Sequence, residues 1–437
     1  MTVAERERVL SVFLEHESDR LARACHEMAR AFARGGTLVP FGVGPAATDA
    51  AHVAVEFMHP VIVGKRALPA LAPTNDPTGS ATPARLLRVD DIALGLAHGA
   101  PPPAVERFLR TARERGLLTI AFTGSGDRAQ ADYSFSVPSA DADVVQEVQE
   151  TSYHVLWELV HVFFEHPGLL EDSCITCGDV AVEARVVALH NGSALIEKAG
   201  AREEVAIDLV ADVAVGDRVL CHAGVALERL EPAVEEPTSF LYPFLGSHET
   251  DLDSVLADVR ASTVQKGRDV IQLRGAIDTD RIRECACAVR RRLERGGRLM
   301  SFGNGGSSTD AQDAAADCLA RGWPAIALTN DIAVVTAVGN DVGFDNVFAR
   351  QLIPLGRDAD IALAISTSGS SPNVVAGLEE AHGRGMLTVA ITGYDGGRLA
   401  QLDWLDHLFV VRSDYIPRLQ ETHATIYHLL LAEVGDR

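Results

Sequence analysis

The sequence predicts an α/β protein in which two doubly wound parallel-sheet domains flank a small β-barrel. Three observations lead there. Apolar runs in residues 251–437 end in glycine- or serine-rich turns that open helical patterns, the order of a parallel sheet with crossover helices. Segments of residues 1–168 repeat segments of that region, so the chain holds the fold twice. Residues 173–232 switch to short, partly alternating apolar runs, the pattern of antiparallel strands. Residues 233–250, with Glu235-Glu236-Pro237, read as a linker.

Composition sets outer bounds. A chain of 437 residues with 47% hydrophobic content has material for two to three cored domains. A formal charge of −22 disfavours nucleic acid and anionic membranes as partners. No run has the length and purity of a transmembrane helix, and the first residues lack a signal peptide's apolar core. Seven cysteines, an odd count, fit a reducing cytoplasm.

In the first copy, Gly35 to Gly42 matches Gly296 to Gly303, and Arg115 to Gly124 matches Arg384 to Gly393. Gln149-Glu150-Thr151 matches Gln420-Glu421-Thr422. Where the second copy has a serine-rich turn, the first reads Ala97-His98-Gly99-Ala100-Pro101-Pro102. Prolines remove backbone donors, so phosphate binding is not expected there. His52 and Glu56 stand four apart on one helix face. With Gln149 they make either a zinc or nickel corner or a relic in a packing helix.

In the insert, Ala184 to Ala188, Ser193 to Ile196, Glu204 to Ile207 and Arg218 to Cys221 read as strands, with a final one within His222 to Leu230. Asn191-Gly192 is a hairpin turn, and about five strands close a barrel. Cys174 and Cys177 are spaced as a redox pair or half a metal knuckle, which Cys221 and His222 would complete. They read equally as reduced, partly buried thiols.

In the second copy, Asp251 to Arg295 reads as long amphipathic helices, and Arg298 to Phe302 as a strand. The turn Gly303-Asn304-Gly305-Gly306-Ser307-Ser308 follows, and its glycines let a ligand approach the backbone. The next helix carries Asp310, Asp313 and Asp317. Asn340-Asp341 falls in an expected loop, Val338 to Gly343. The strand Asp360 to Ile365 runs into Ser366-Thr367-Ser368-Gly369-Ser370-Ser371, and a helix begins near Asn373. That order aims hydroxyls and unpaired N–H groups at one point, where a phosphate is favoured by the helix dipole. Taken alone the string also fits an ordinary helix cap. A last, core-packing helix carries Gln420 and His428, eight apart and on one side.

Together these segments of 251–437 resemble the phosphoheptose isomerase branch of the sugar isomerase (SIS) domain superfamily. The resemblance implies a sugar-phosphate substrate of the sedoheptulose 7-phosphate type, aldose–ketose isomerisation, a divalent metal, zinc first, no nucleotide cofactor, and homo-oligomers. It implies a phosphate loop of Ser366, Thr367, Ser368 and Ser371, and a sugar turn of Asn304, Gly305, Gly306 and Ser307. Arg321, Asn340, Asp341 and Gln420 match further substrate contacts. Asp317 falls on the catalytic glutamate, His428 on the catalytic histidine, and Asp313 on a zinc-binding histidine. Asp313, Asp317, Gln420 and His428 would then hold the metal, with Asp317 as base and His428 as acid. In the first copy His52 and Glu56 match the family's metal histidine and catalytic glutamate, while Trp157 replaces the catalytic histidine.

The insert resembles the HypC/HupF family of hydrogenase-maturation chaperones, on Cys174-Ile175-Thr176-Cys177-Gly178-Asp179 and the run Val215 to Leu230. The resemblance implies a hydrogenase-maturation protein as partner. Cys174 would be the counterpart of that family's working cysteine, which there follows the initiator methionine; here it is internal.

Overall fold

The computed structural model describes residues 1–60, 65–73, 83–126, 129–170, 182–190, 193–198, 201–207, 210, 213–222, 225–230 and 252–437. The chain divides into two compact units. One joins Met1–His166 with Asp251–Arg437, and the other is Pro167–Thr250. The two copies therefore share one unit.

The first copy runs α1 (Val3–Ala33), β1 (Leu38–Gly42), α2 (Ala46–Met58), β2 (Ile92–Leu96), α3 (Pro103–Glu114), β3 (Leu118–Thr123), β4 (Tyr133–Ser136) and α4 (Ala142–Phe164). A capping box between Thr2 and Glu5 starts α1. The strands form a parallel sheet in the order β1-β2-β3-β4. β1 and β2 are buried at every residue, which is why they read as unbroken apolar runs.

In the second unit lie β5 (Val182–His190), β6 (Ser193–Lys198), β7 (Ala201–Ala206), β8 (Arg218–His222) and β9 (Val225–Leu230). β5 pairs with both β6 and β8, and the ladder β5-β6-β7-β9-β8 returns on itself. Ala184, Val186, Ala194, Ile196, Val205, Val219 and Cys221 fill its centre. Cys221 is thus a core residue. Cys174, Cys177, the Asn191-Gly192 turn and the 233–250 linker lie outside the described residues.

The second copy runs α5 (Leu252–Gly275), α6 (Thr279–Glu294), β10 (Leu299–Gly303), α7 (Gly306–Ala320), β11 (Ala325–Ala327), α8 (Ile332–Asp341), α9 (Ala349–Leu355), β12 (Ile361–Ser366), α10 (Pro372–Gly383), β13 (Leu387–Thr392), β14 (His407–Val410) and α11 (Ile416–Val434). Its parallel sheet has the order β11-β10-β12-β13-β14. In the first copy an isolated parallel bridge, Leu38 to Ala70, stands where β11 stands here. Asn340 and Asp341 close helix α8 and are not in a loop. Asp331 caps that helix by accepting from the Ala333 and Val334 N–H groups, which carries the apolar run into a helix.

Counterpart packs on counterpart between the copies: α2 lies on α7, and α4 on α11. The arrangement is an approximate two-fold built into one chain. Buried charge lines it. Glu147 of α4 meets Arg6, Arg274 (3.6 Å) and His428 (3.0 Å). Glu158 of α4 meets Lys266 of α5 and Arg418 of α11, the latter at 3.0 Å.

Candidate active site between the two copies

The serine-rich turn joins β12 to α10. Ser371 is the N-cap of α10, yet its hydroxyl makes no capping hydrogen bond. The Ser371 hydroxyl is therefore not occupied with capping its own helix; Pro372 brings no N–H and the Val374 N–H bonds to the Ser371 carbonyl, so the turn offers an anion its hydroxyls and the positive end of the helix dipole. Gly369 holds φ at +59°, and a side chain there would run into the Gly396 carbonyl. The sugar turn is tied to this loop: Asn304 donates to Asn373 at 2.9 Å and accepts from it at 2.8 Å.

From Asn304 the backbone passes through Gly305, φ +57°, into Gly306 at the start of α7. A side chain on Gly306 would overlap Gln420 Nε2 and come within 2.8 Å of His52 Nε2. Gln420 belongs to the second copy and His52 to the first. They meet each other at 3.2 Å. The second copy's sugar turn thus ends against the first copy's helix α2.

Around His52 a buried polar cluster gathers. Glu56 Oε1 lies 3.6 Å from Nε2, Asp310 Oδ1 3.8 Å from Nδ1, and the Tyr153 hydroxyl 3.2 Å from Nδ1. One donor atom each from His52, Glu150 and His154 lies within 4.8 Å of the others. Burial opposes the charge on Glu56, but the bond and charge of His52, with His154 and Gln420, together outweigh it and hold the carboxyl below its ordinary range. Burial also opposes the charge on His52, yet Glu56 and Asp310 raise it. Burial pushes Asp310 up to about 7 and Glu150 well above the usual carboxylate range. Glu56 Oε2, Glu150 Oε1, His154 Nε2, Gln420 Oε1 and Asp310 Oδ2 are buried with no hydrogen-bond partner among the described residues. Buried polar atoms are rarely left so. Imidazoles, carboxylates and an amide oxygen are the donors zinc takes, so the divalent metal implied by the resemblance fits this set.

The pseudo-symmetric position holds a second centre of different character. His428 Nε2 lies 3.3 Å from Asp317 and from Gln146, and Nδ1 lies 3.0 Å from Glu147. Burial opposes the imidazolium, but Asp317 and Glu147 raise it to about 10. Asp317 is held below its ordinary range by His428 despite burial. Arg321 pairs with Asp143 at 2.8 Å, and Asp313 accepts from Thr48 of the first copy. Both nitrogens of His428 are engaged and its charge is fixed.

The expected four-residue metal set is therefore corrected. Gln420 and His428 share one side of α11, but eight residues separate them by ~12 Å along the axis. Gln420 joins His52, and His428 joins Asp317. Asp317 stands eleven residues down α7 from Gly306, ~16 Å from the sugar turn. Gln149 leaves His52 and Glu56 as well, because its amide donates to the Ala97 carbonyl at 2.8 Å. Arg321 lies with the second centre. Asn340 and Asp341 are exposed and bond to each other at 2.7 Å. His154 and Glu150, four apart on α4, escaped the sequence analysis as donors; their i, i+4 spacing was the available signal.

Comparison with known proteins agrees with the fold. A SIS domain model matches residues 3–101 and 266–393, over half of the chain, and the chain belongs to the SIS domain family. It carries that domain twice, with a HupF/HypC family match over residues 180–240 between the copies. Its curated relatives include a phosphoheptose isomerase of Thermodesulfovibrio yellowstonii, 44% identical over 161 residues, which are 36% of this chain and 79% of the relative. The phosphoheptose isomerase of Aquifex aeolicus is 43% identical over 150 residues, 33% of this chain and 78% of the relative. Among solved structures, the C-terminal domain of glucosamine-fructose-6-phosphate aminotransferase from Francisella tularensis aligns with a TM-score of 0.52 at 9% identity. It covers 99% of this chain and 93% of that one, a likeness of fold. Among the described residues no helix is long and apolar enough to cross a membrane.

Proposed function

We propose that the chain is a sugar-phosphate aldose–ketose isomerase with one composite site, acting on a sugar phosphate of the sedoheptulose 7-phosphate type. The observation that supports it most is Gly306 of the second copy seated against Gln420 of that copy and His52 of the first. Ser366, Thr367, Ser368 and Ser371 anchor the phosphate at the start of α10. Asn304, Gly305, Gly306, Ser307 and Gln420 orient the sugar. Glu56, kept ionised beside His52, is the base. It takes a proton from C1 of the ketose, exchanges it with solvent at the enediol stage, and delivers a proton to C2, while a second proton passes from O1 to O2. The intermediate is an enediol, and nothing is oxidised overall. The phosphate anchor holds the reacting carbons beside the carboxylate, which removes the entropy cost of that encounter from the barrier. A divalent cation held by His52, Glu150 and His154 would supply positive charge beside Glu56.

The test is isotope exchange. Wild-type protein given sedoheptulose 7-phosphate in D2O should form an aldose phosphate carrying deuterium at C2. Ser368→Ala with Ser371→Ala should raise KM, at ~1.5–3 kcal/mol for each hydrogen bond to a charged group. Wild type that binds the sugar phosphate without exchange would replace this reading by ligand binding alone. The HupF/HypC match supports that second reading, an accessory role in nickel–iron hydrogenase maturation with the SIS copies carrying a ligand.

A further inference from the structure

The composite site lacks one histidine by descent: Trp157 occupies that position, fully buried, and presents no ligand atom. One helical turn earlier on α4 stands His154, also fully buried. We propose that His52, Glu150 and His154 form a buried divalent-cation centre in which His154 supplies the imidazole that Trp157 removes. The inference rests on the site being shared between the copies, and not on turnover.

Hydrogen bonding has prepared His154. His154 Nδ1 faces Glu421 Oε1 at 2.9 Å. Donation from Nδ1–H to that carboxylate fixes the ring and leaves the Nε2 lone pair free, the carboxylate–histidine pairing seen behind metal-bound imidazoles. Nε2 has no hydrogen-bond partner among the described residues although it is buried. Tyr153 holds His52 through Nδ1, at 3.2 Å, while Nε2 faces Gln420 at 3.2 Å and Glu56 at 3.6 Å, so a cation there would take the place of those two partners. Glu150 lies one turn from His154 on the same face of α4, and its Oε1 is a second unpartnered atom.

Charge balance points the same way. Glu56, Glu150 and Asp310 stand together in the interior, and no described lysine or arginine forms an ion pair with any of them. The nearby buried cations pair elsewhere: Arg418 with Glu158 and Glu421, Lys266 with Glu158, Arg6 and Arg274 with Glu147. His52, 3.6 Å from Glu56 and 3.8 Å from Asp310, offsets less charge than three ionised carboxylates would carry, and a bound cation is the usual further partner. The centre draws His52 from α2 and Glu150 and His154 from α4, so helix packing fixes its geometry. Gln420 stands next to it and, with His52, meets the sugar turn at Gly306, while Glu56 lies 3.6 Å from His52 Nε2.

Zinc itself is the probe. The full chain, stripped with chelator, is titrated with zinc against a chelating dye, and metal per chain is counted by elemental analysis. Wild type should bind one tight zinc per chain. His154→Asn keeps a donor toward Glu421 but removes Nε2, and should lower zinc affinity roughly 100-fold or more. Glu150→Gln, similar in size, should weaken it too, while Asp317→Asn at the other centre should not. Circular dichroism confirms that each variant is folded. Wild-type affinity in folded His154→Asn, equal loss in Asp317→Asn, or no tight zinc in wild type would overturn the centre. Proton exchange at C2 is read separately: tight zinc with this ligand pattern but no exchange leaves the centre standing and removes the isomerase reading.

Discussion

Glu56 and Asp317 occupy matching positions of the two copies, and their surroundings assign them different work. Glu56 borders the sugar turn through His52 and Gln420, with one carboxylate oxygen unpartnered. Asp317 is locked to His428 far down the same helix that the sugar turn opens. The sequence made every one of these residue types visible. It did not show which copy each would serve, because that depends on helices α4 and α11 crossing between copies. Gly306 is the residue on which the shared geometry depends. Gly306→Ala would push Gln420 aside, so sugar-phosphate affinity should fall at least tenfold while the fold persists. Calorimetry giving an unchanged Kd would show that Gln420 and His52 do not meet the sugar turn.

At the scale of elements, α4 is the hinge of the account, since it carries partners for both centres and for the copy interface. Glu158 meets Lys266 and Arg418 in the interior. Removing one member of a buried ion pair costs about 3–5 kcal/mol because the remaining charge is stranded. Glu158→Ala should therefore lower the urea midpoint of unfolding by that equivalent, and an unshifted midpoint would contradict the pairing. Glu147 adds a pH signature. Its folded pKa is about 2 against an ordinary 4.5, despite burial, because of Arg6 and Arg274. Its contribution, on the order of 3 kcal/mol, is present above pH 4.5 and lost as pH falls toward 2. His428, raised to about 10 from 6.5, contributes fully below pH 6.5 and loses its share as pH rises through 10. Stability from this cluster should peak between pH 4.5 and 6.5. Urea unfolding across pH checks it, and a Glu147→Gln variant should flatten the acid limb. Most elements were legible from apolar runs and glycine punctuation, as in β10, β12 and α10. Helix α8 was not, because none of its residues is buried and its cap, not a core face, sets its start.

For the whole molecule, each copy has lost what the other supplies. The first copy has prolines where a phosphate loop would stand, and it keeps His52 and Glu56. The second keeps the serine loop and Gln420, and its own carboxylates have become part of the interface. The repeat and the two sets of losses were both plain in the sequence. The two sets come together where α2 packs on α7. One sugar phosphate per chain should bind in calorimetry, and two would mean that the Pro101–Pro102 turn still holds phosphate. The central claim, a single site with its base from the first copy and its phosphate anchor from the second, is tested most directly by comparing Glu56→Gln with Asp317→Asn in the same C2 proton-exchange assay. Loss of exchange in Glu56→Gln with near wild-type exchange in Asp317→Asn is the expected result, and the reverse pattern would contradict the account.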